Sequence, residues 1–461
     1  MVDDLLDKLD AEQRELVLAC GRFAAERGER AFLVGGSVRD LFLDRDHDDL
    51  DIVVEGDGLA VAQALSRSVD GELTRHHAFQ TATVSTPGGL RVDVATARSE
   101  QYPRPGQLPQ VVPGSLAEDL ERRDFTINTM AIDLGPGEVG ALIDPLGGIA
   151  DLRADLIRVM HSRSFADDPT RVLRAIRFAL RFGSEIETDT HAWLRQAVAG
   201  GYLADVSGDR VRKEIRLSFG EAPIEGPLRL RDEGVLREVH PLLGADETAL
   251  QELDRNLRRY RSSGGERAGN PPESSDWTLR LACCASGMPP QARWELVRRL
   301  RLSRDERSAL IDAGVPWRKA SAAISTPGSV RDSDVERALR PLSSGGLLVV
   351  AAEGAGSSST AASAAVASSE GTSSSPDPGD TGMGMLRAEE TLTDLLWRYL
   401  EHMQEVRPEL NGADLLELGV SQGPDVGLLL EKLRSARLDG GARDSEDERR
   451  LVLGWLAEKP L

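Results

Sequence analysis

The N-terminal third of the chain alternates short apolar runs with amphipathic stretches, a pattern typical of a mixed α/β unit. Ala31–Val34 and Leu50–Val54 predict buried strands, and Ala82–Ser85 and Leu90–Ala95 predict two more strands around a Pro-Gly-Gly turn. The amphipathic segments between them predict helices over residues 3–27, 37–42 and 60–68. We therefore expect a mixed α/β domain over residues 1–150.

Helical periodicity dominates from Asp151 onward, and the clearest case is Arg171–Phe182, where arginines are interleaved with an apolar face. Residues 261–276 are polar and predict a loop. Residues 353–385 are rich in Ser, Gly, Ala and Pro and predict a disordered linker. After the α/β domain we therefore expect a helical neck over 151–220, a helical body over 221–352, the linker, and a small helical tail over 386–461.

Charge and composition narrow the class of protein. The 461 residues include 56 Lys and Arg against 76 Asp and Glu, for a formal net charge of −20, which argues against a generic nucleic-acid binder but does not exclude local basic patches. Its three cysteines, Cys20, Cys283 and Cys284, are too few for a disulfide framework and lack zinc-ligand spacing. No apolar run approaches the ~20 residues that span a bilayer, and the acidic N-terminus is unlike a signal peptide. We therefore expect a cytoplasmic protein without a membrane partner.

Three aspartates provide candidate catalytic chemistry. Asp49 and Asp51 alternate with Leu50 along a predicted strand, so both carboxylates point to the same side. Paired carboxylates repel each other unless a cation lies between them, and Mg²⁺ is the natural choice because it prefers hard oxygen ligands and retains substrate phosphate. Asp93, on another predicted strand, can complete the cluster. An isolated Asp-X-Asp is more often solvated surface, so the neighbouring residues decide between the two interpretations.

A glycine turn before the aspartates favours the metal site. Gly35-Gly36 connects the strand that ends at Val34 to a helix that begins at Ser37. Glycines let backbone N–H groups approach a phosphate, and a helix N-terminus adds the positive end of its dipole. Arg39, one turn into the helix, can reach a phosphate oxygen. A phosphate-binding turn followed by paired carboxylates predicts nucleotide binding beside a metal.

These segments and several others in the same order resemble the class II tRNA nucleotidyltransferases. That family belongs to the polymerase-beta-like nucleotidyltransferase superfamily, together with bacterial poly(A) polymerases. The matching segments are GGSVRD (35–40) with DDLDIVV (48–54) for motif A, RRDFTIN (122–128) for motif B, DPLGG (144–148) for the hinge, DDPTR (167–171) for motif D and DRVRKE (209–214) for motif E. The resemblance covers residues 30–217. It implies an α+β polymerase-beta-like head followed by an all-α neck, body and tail.

The resemblance also implies a role for each motif. Asp49 and Asp51 would bind two Mg²⁺ ions, and Asp93 would orient or activate the attacking hydroxyl. Contacts to the ribose and triphosphate would come from motifs A and B, namely Gly35, Gly36, Ser37, Arg39, Arg122, Arg123, Asp124 and Asn128. The nucleotide-selecting helix would contribute Asp168, Arg171, Arg174 and Arg177. An arginine suits such a site because its planar fork binds phosphate in a bidentate manner.

Motif D carries a prediction about base selection. Asp168 and Arg171 are three residues apart, so we expect them to share a helical face. An Arg donor beside an Asp acceptor matches the edges of cytosine and adenine, whereas guanine and uracil would leave buried polar groups unpaired. The family's usual motif begins with Glu, and this chain has Asp167 instead. If that residue orients Arg171, its shorter side chain would alter the switch between C and A.

We therefore expect a template-independent enzyme that adds C and/or A from CTP and ATP to the tRNA 3′ end and releases pyrophosphate, with the helical body binding RNA. A CC-only or A-only tRNA nucleotidyltransferase and a poly(A) polymerase are alternatives with the same chemistry. A catalytically inactive RNA- or nucleotide-binding module is the alternative outside enzymes. The intact set of Asp49, Asp51 and Asp93 argues against that module, because clustered carboxylates are costly to keep.

Overall fold

The computed structural model describes residues 5–45, 49–76, 80–101, 110–137, 139–263, 276–324, 330–353 and 391–458. The predicted linker lies outside these residues apart from Glu353, and so does most of the predicted loop over 261–276. The chain forms two compact units: unit 1 consists of Met1–Ala222 with Asp232–Glu238, and unit 2 of Pro223–Arg231 with Val239–Leu461. The contact pattern thus groups the predicted head and neck into a single unit.

A seven-stranded sheet organises the N-terminal part of unit 1. The strands here are β1 (Arg30–Val34), β2 (Asp49–Glu55), β3 (Glu72–His76), β4 (Thr81–Ser85), β5 (Arg91–Thr96), β6 (Arg98–Gln101), β7 (Gln110–Pro113), β8 (Ala131–Asp133) and β9 (Leu142–Ile143). Their order in the sheet is β3-β4-β5-β2-β1-β8-β9, while β6 and β7 form a separate ribbon. β2 and β5 run parallel, and the other neighbours in the sheet run antiparallel.

The four predicted strands are confirmed, each within one residue at either end. The hydrophobic pattern does not predict β3, because Leu73 is its only apolar residue and most of its side chains are exposed. A strand at a sheet edge gains its order from pairing with a neighbour rather than from its own hydrophobic pattern. β3 pairs with β4 over its full length, from Glu72 opposite Ser85 to His76 opposite Thr81.

Helices pack on both faces of this sheet. The helices of this part are α1 (Ala11–Ala25), α2 (Gly36–Phe42), α3 (Gly58–Ser68) and α4 (Leu116–Glu121). Leu50, Ile52 and Val54 of β2 are buried in the core that α1 and α3 share with the sheet, whereas Val53 belongs to a smaller cluster that includes Leu120 of α4. Side chains on a strand alternate between faces, so Asp49 and Asp51 lie on the Val53 side, away from the main core.

The remainder of unit 1 is largely helical. It contains α5 (Gly148–Arg153), α6 (Ser164–Asp167), α7 (Thr170–Phe182), α8 (Thr188–Ala199) and α9 (Gly208–Glu221), with short strands β10 (Leu156–Ile157) and β11 (Glu185–Ile186) paired in parallel. α7 packs against α9. α7 begins one residue before its predicted start, and it ends at Gly183, whose φ of 66° is the left-handed conformation that commonly terminates a helix.

The described secondary structure after α9 consists of helices joined by loops, and the residues of these helices belong to unit 2, except residues 232 and 235–238, which belong to unit 1. The chain continues through α10 (Glu225–Asp232), α11 (Val235–Val239), α12 (Glu247–Ser262), α13 (Asp276–Cys284), α14 (Pro290–Leu300), α15 (Arg304–Asp312), α16 (Val315–Ile324), α17 (Asp332–Leu339), α18 (344–353), α19 (Leu392–Glu401), α20 (Gly412–Glu417), α21 (Pro424–Leu438) and α22 (Ser445–Glu458). The buried Glu336 of α17 pairs with Arg434 of α21 at 2.7 Å, which connects the two within unit 2. Of the helices that the structure describes, none is long and apolar enough to cross a bilayer.

Candidate active site

The three predicted catalytic aspartates lie on two adjacent strands. Asp51 of β2 is in register with Asp93 of β5, and neighbouring strands are about 4.8 Å apart, so the two side chains are neighbours. Asp49 lies on the same face, is more exposed, and has its Oδ1 3.7 Å from Nε of Arg91. Asp93 accepts a 2.5 Å hydrogen bond from Oγ1 of Thr83 on β4. The sheet register therefore brings all three carboxyl groups to one face.

The electrostatics of this cluster favour a cation. The pKa of Asp51 is raised to about 6, mainly by burial and further by the charges of Asp93 and Asp49, against an opposing effect of Arg123. Within the described residues, no three His, Cys, Asp or Glu side chains are grouped closely enough to enclose a metal ion. The donor set instead fits a hard divalent cation that takes its remaining ligands from water and substrate phosphate.

The Gly35-Gly36 turn fixes the start of α2 against β2. Gly35 has a φ of 68°, a backbone conformation that favours glycine, and a Cβ there would lie 2.3 Å from Nη1 of Arg123, so the guanidinium would have to shift. Oγ of Ser37 accepts a 2.9 Å hydrogen bond from the backbone N–H of Asp51 and donates to the carbonyl of Asp49 at 3.2 Å. Ser37, predicted to bind nucleotide, thus holds the strand that carries the two aspartates.

A cavity of about 420 Å³, which we call the first cavity, opens beside Asp51. Arginine and acidic side chains dominate its lining, which consists of Gly36, Arg39, Asp51, Glu100, Arg122, Arg123, Asp124, Asn128, Asp168, Arg171, Arg174 and Phe178. Most of the predicted nucleotide-binding residues are therefore together here. Gly35, Ser37 and Arg177 do not line it.

Motif B is organised around one buried carboxylate. Asp119 of α4 is fully buried and accepts hydrogen bonds from Arg122 at 2.7 Å and from Arg123 at 3.0 Å. Burial alone would raise the pKa of Asp119, but the two guanidinium groups outweigh it and hold the pKa below its usual value. Asp119 thus holds both arginines at the wall of the first cavity.

A second carboxylate, the largely buried Asp124, connects motif B to α7. Its Oδ1 accepts from Nδ2 of Asn128 at 2.9 Å, and its Oδ2 accepts from Nε of Arg174 at 2.8 Å. Burial would raise the pKa of Asp124, yet Arg174 and Asn128 lower it to about 2. Asp124 is therefore ionised, and α7 is tied to motif B at this point.

Arg39 is more enclosed than the sequence predicts. Its guanidinium donates to both carboxylate oxygens of Asp40 at 2.9 Å and to Oδ1 of Asn128 at 2.6 Å. It also lies 4.7 Å from the centroid of the Phe182 ring and 5.6 Å from that of Phe178. Burial lowers the pKa of Arg39. In this conformation Arg39 lines the first cavity and at the same time orients Asn128.

Motif D differs from its predicted geometry. Asp168 is extended, with φ −133°, and precedes α7, so the expectation that it shares a helical face with Arg171 is wrong. The proline that follows Asp168 disfavours a helical conformation at Asp168. The carboxylate of Asp168 instead accepts a hydrogen bond from the backbone N–H of Thr170 at 3.0 Å. Both Oδ atoms also accept from Nη2 of Arg210 at 2.7 Å. Asp168 and Arg171 nevertheless line the same cavity.

Arg177 lies outside the first cavity. Its Nε donates to Glu214 at 3.2 Å and its Nη1 to Glu221 at 2.9 Å, between α7 and α9. Arg174 and Arg177 are three residues apart, and only Arg174 faces the cavity. The residues that sequence reasoning missed are Thr83, Glu100, Phe178 and Arg210. For Arg210 a signal existed, because it lies within the motif E segment.

The sequence of this chain is similar to those of known RNA nucleotidyltransferases. A profile of the poly(A) polymerase head domain matches residues 31–158. The chain is 34% identical to the A-adding tRNA nucleotidyltransferase of Geobacter sulfurreducens over 438 residues, which cover 94% of this chain and 46% of that protein. It is 29% identical to the CC-adding tRNA nucleotidyltransferase of Deinococcus radiodurans, covering 93% of this chain and 90% of that protein.

A solved structure extends the similarity to the entire chain. The CCA-adding enzyme of Thermotoga maritima, complexed with tRNA, is 30% identical, covers 99% of this chain and 98% of its own, and has a TM-score of 0.72. By contrast, the chain spans 27% to 55% of the length of three A-adding relatives that it matches. Nucleotidyltransferases of this kind generally depend on a metal ion. The ordered motifs, the head profile and the whole-chain structural match agree, and the chain belongs to the family of class II tRNA nucleotidyltransferases and bacterial poly(A) polymerases.

Proposed function

We propose that this chain is a template-independent tRNA nucleotidyltransferase, which adds C and/or A from CTP or ATP to the tRNA 3′ end. The observation that carries the proposal is Asp51, a half-buried carboxylate in register with Asp93 that lines the arginine-rich first cavity. Such a pair beside a triphosphate-sized polar cavity suits phosphoryl transfer. The named activities of the related proteins support the same reaction.

In the proposed reaction, Asp49 and Asp51 would hold the divalent cations. Mg²⁺ is the cation that suits their carboxylate oxygens. A cation held by these two carboxylates would supply Lewis-acid chemistry, lowering the pKa of the RNA 3′-hydroxyl and stabilising the leaving pyrophosphate. The 3′-oxygen attacks the α-phosphorus, and the bond from that phosphorus to the oxygen bridging the β-phosphate breaks. The hydroxyl proton passes to Asp93 and then to solvent. Arg122 and Arg123 are placed to neutralise the triphosphate, and both are held by the buried Asp119.

Asp168 and Arg171 are the proposed base-reading pair. Arg171 donates to ring acceptors of cytosine or adenine, and Asp168 accepts from the exocyclic amine, while guanine and uracil leave both groups unpaired. Asp124 would accept from a ribose hydroxyl through a lone pair not used by Arg174 or Asn128. These roles assign Arg174 and Asn128 to holding Asp124 in place.

A specialist that adds only A or only C is the second candidate, and Arg171 favours it. Nη2 of Arg171 donates to the backbone carbonyl of Arg122 at 2.7 Å. Asp167 lies 4.0 Å from His161 and 3.8 Å from Arg163 instead. An arginine that is fixed by the backbone favours one orientation, whereas accepting two bases in turn requires two.

The experiment uses purified protein, Mg²⁺ and three tRNAs that end at the discriminator base, in C, and in CC. CTP, ATP, UTP and GTP are offered singly and together, and products are resolved at single nucleotides. Addition of C, C and A followed by a stop establishes the complete CCA activity. A stop after CC, or extension of the CC-ending tRNA alone, identifies a specialist. Long adenosine tails identify a poly(A) polymerase, and no product from any tRNA contradicts the proposal in favour of a binding module.

A further inference from the structure

One aromatic ring, that of Phe178 on α7, lies among three guanidinium groups. The guanidinium carbon of Arg177 is 4.7 Å from the ring centroid, that of Arg174 is 5.1 Å away, and that of Arg39 is 5.6 Å away. A guanidinium within about 6 Å of a ring centroid is attracted to the negative face of the ring, most strongly where water is excluded. Phe178 is buried, so its ring is placed to attract these groups.

The two of these arginines that line the first cavity are each paired with a carboxylate. Arg39 donates to both oxygens of Asp40 at 2.9 Å, and Nε of Arg174 donates to Oδ2 of Asp124 at 2.8 Å. Charge-assisted hydrogen bonds of this kind are among the strongest in proteins. The positive charge of each arginine is thus balanced within the protein, and this arrangement suits arginines that orient their neighbours.

Arg39 and Arg174 are connected through two further residues that line the first cavity. Nη1 of Arg39 donates to Oδ1 of Asn128 at 2.6 Å, and Nδ2 of Asn128 donates to Oδ1 of Asp124 at 2.9 Å. Only this orientation of the Asn128 amide satisfies both partners, because an arginine only donates and a carboxylate only accepts. Asp124 in turn accepts from Arg174. One hydrogen-bonded chain therefore runs from α2 through motif B to α7, and the arginine at each end contacts the ring of Phe178.

The ring of Phe178 is itself held in place by its position on α7 and by two aromatic neighbours. Arg171, Arg174 and Phe178 recur at spacings of three and four residues, so they share one face of the helix, and all three line the first cavity. The Phe178 ring packs against that of Phe125 in motif B, with centroids 5.6 Å apart and an interplanar angle of 73°. The ring of Phe182, one helical turn later, also lies 5.6 Å away. Phe178 is therefore a fixed support beneath the cavity wall.

We propose that Phe178 is a positioning residue for nucleotide binding. Its ring holds Arg39 and Arg174 in place. The two arginines in turn fix the amide of Asn128 and the carboxylate of Asp124 at the wall of the first cavity. This inference rests on the proposed function. A phenylalanine that served packing alone would need only apolar bulk, whereas a support for guanidinium groups also needs the negative face of an aromatic ring.

Ring fluorination separates these two roles, because each fluorine weakens the negative face and nearly preserves the shape of the ring. In the full chain, Phe178 is replaced by phenylalanine that carries one, two or three ring fluorines. The dissociation constants of ATP and CTP are then measured by calorimetry in the presence of Mg²⁺, and we expect both to rise about 2-fold with each fluorine. Phe219 is the matched control, because it is fully buried in α9 and does not line the first cavity. The same series at Phe219 should leave both constants unchanged.

Three outcomes of the fluorine series at Phe178 would overturn the proposal. Constant nucleotide affinity along the series would mean that the ring provides packing alone. Tighter binding with each fluorine would mean that the ring stacks directly on the base, since an electron-poor ring stacks more strongly on an electron-rich one. A parallel loss of tRNA affinity, measured without nucleotide, would place the effect in the fold of the whole unit. All of these are binding measurements, so a failure to extend tRNA would count against the proposed function alone.

A double-mutant cycle tests whether Phe178 acts through Arg39. Phe178→Met keeps an apolar side chain of similar size without the ring and should raise the ATP and CTP dissociation constants about 5- to 10-fold. Combined with Arg39→Met, it should raise them at least about 3-fold less than the product of the two separate effects, since residues in contact are energetically coupled. Effects that multiply independently would contradict the proposal. Melting temperatures show which variants are folded, and the fluorine series, which preserves the ring, decides the matter if Phe178→Met is not.

Discussion

Nη2 of Arg210 donates to both carboxylate oxygens of Asp168 at 2.7 Å, which ties α9 to the segment just before α7. This contact fixes the orientation of the Asp168 carboxylate, the proposed base-reading group. It also occupies some of the lone pairs with which that carboxylate could accept hydrogen bonds from a base. The orientation of Asp168 is therefore set by motif E as well as by its own backbone.

Arg210→Ala should weaken base discrimination. Without Arg210, the carboxylate of Asp168 can rotate and is no longer held in the orientation that accepts from an exocyclic amine. We therefore expect kcat/KM for the correct nucleotide to fall about 10- to 100-fold, which corresponds to the loss of one or two charge-assisted hydrogen bonds. The ratio of correct to incorrect nucleotide should fall with it. Arg212→Ala is the control, because Arg212 lies on the same helix and pairs with Asp209 at 3.3 Å. Unchanged discrimination in Arg210→Ala would show that Asp168 does not depend on α9.

Arg177→Met should destabilise unit 1. Arg177 is buried between Glu214 and Glu221, so its removal leaves Glu214 buried without its main partner, at a cost of about 3 kcal/mol. The melting temperature is the measurement. Arg181→Met is the control, because Arg181 is more exposed and its nearest Glu221 oxygen is 4.0 Å away, so a change within about 0.5 kcal/mol is expected. A stable Arg177→Met variant with a raised nucleotide KM would instead place Arg177 in nucleotide binding.

Asp51→Asn should abolish extension and yet stabilise the metal-free protein at neutral pH. The native pKa of Asp51 is about 6, above the ordinary value of 3.8, so the folded state binds this proton more tightly than the unfolded state does. Stability is therefore lost as pH rises through this range, and the loss is complete above the native pKa. In the presence of a chelator, the melting temperature of Asp51→Asn should exceed that of the wild type at pH 8, and the difference should shrink toward pH 5.

Added Mg²⁺ provides the complementary measurement for Asp51. It should raise the melting temperature of the wild type, because an ion that binds only the folded state stabilises it. The same addition should have little effect on Asp51→Asn. Equal stabilisation of both proteins would place the cation elsewhere.

Gly35→Ala should reduce both stability and nucleotide affinity. Alanine at a φ of 68° is strained by about 1 kcal/mol, and its Cβ would push the Arg123 guanidinium away from the first cavity. Gly36→Ala is a close control, because a Cβ there lies 3.6 Å from Arg39 and 3.9 Å from Asp51, which is ordinary contact. We expect a lower melting temperature only for Gly35→Ala, since Gly36 itself lines the nucleotide cavity and its nucleotide KM is not a control readout. Equal effects at both positions would contradict the steric argument.

Four strands of the large sheet could be predicted from local hydrophobic patterns, whereas most residues that line the first cavity were expected from the resemblance to the family's motifs. Alternation along β2 places Asp49 and Asp51 on one face whatever else surrounds them. Residue pairing across the sheet could not be predicted. Thr83 comes beside Asp93 through the register of β4 and β5, which no periodicity encodes.

The errors on α7 have a similar origin. Helical spacing suggests that Arg174 and Arg177 face the same way, but Glu214 and Glu221 of α9 draw Arg177 to the other side. Asp168 was expected within the helix, although Pro169 follows it and disfavours that conformation. For Arg177, ion-pair partners distant in sequence determine the direction of the side chain. For Asp168, the proline that follows determines the backbone conformation. Helical periodicity alone predicts neither.

The parallel pairing of β2 with β5 has a consequence for how the active centre assembles. Parallel strands cannot be joined by a tight turn, and here α3, β3 and β4 lie between Asp51 and Asp93 along the chain. Non-local pairings of this kind form late, since the intervening segment loses entropy before the pairing forms. The carboxylates therefore become neighbours only in a chain whose sheet is already built. A molecule in which β5 has not paired with β2 lacks the carboxylate pair, so catalytic competence reports that this pairing has formed.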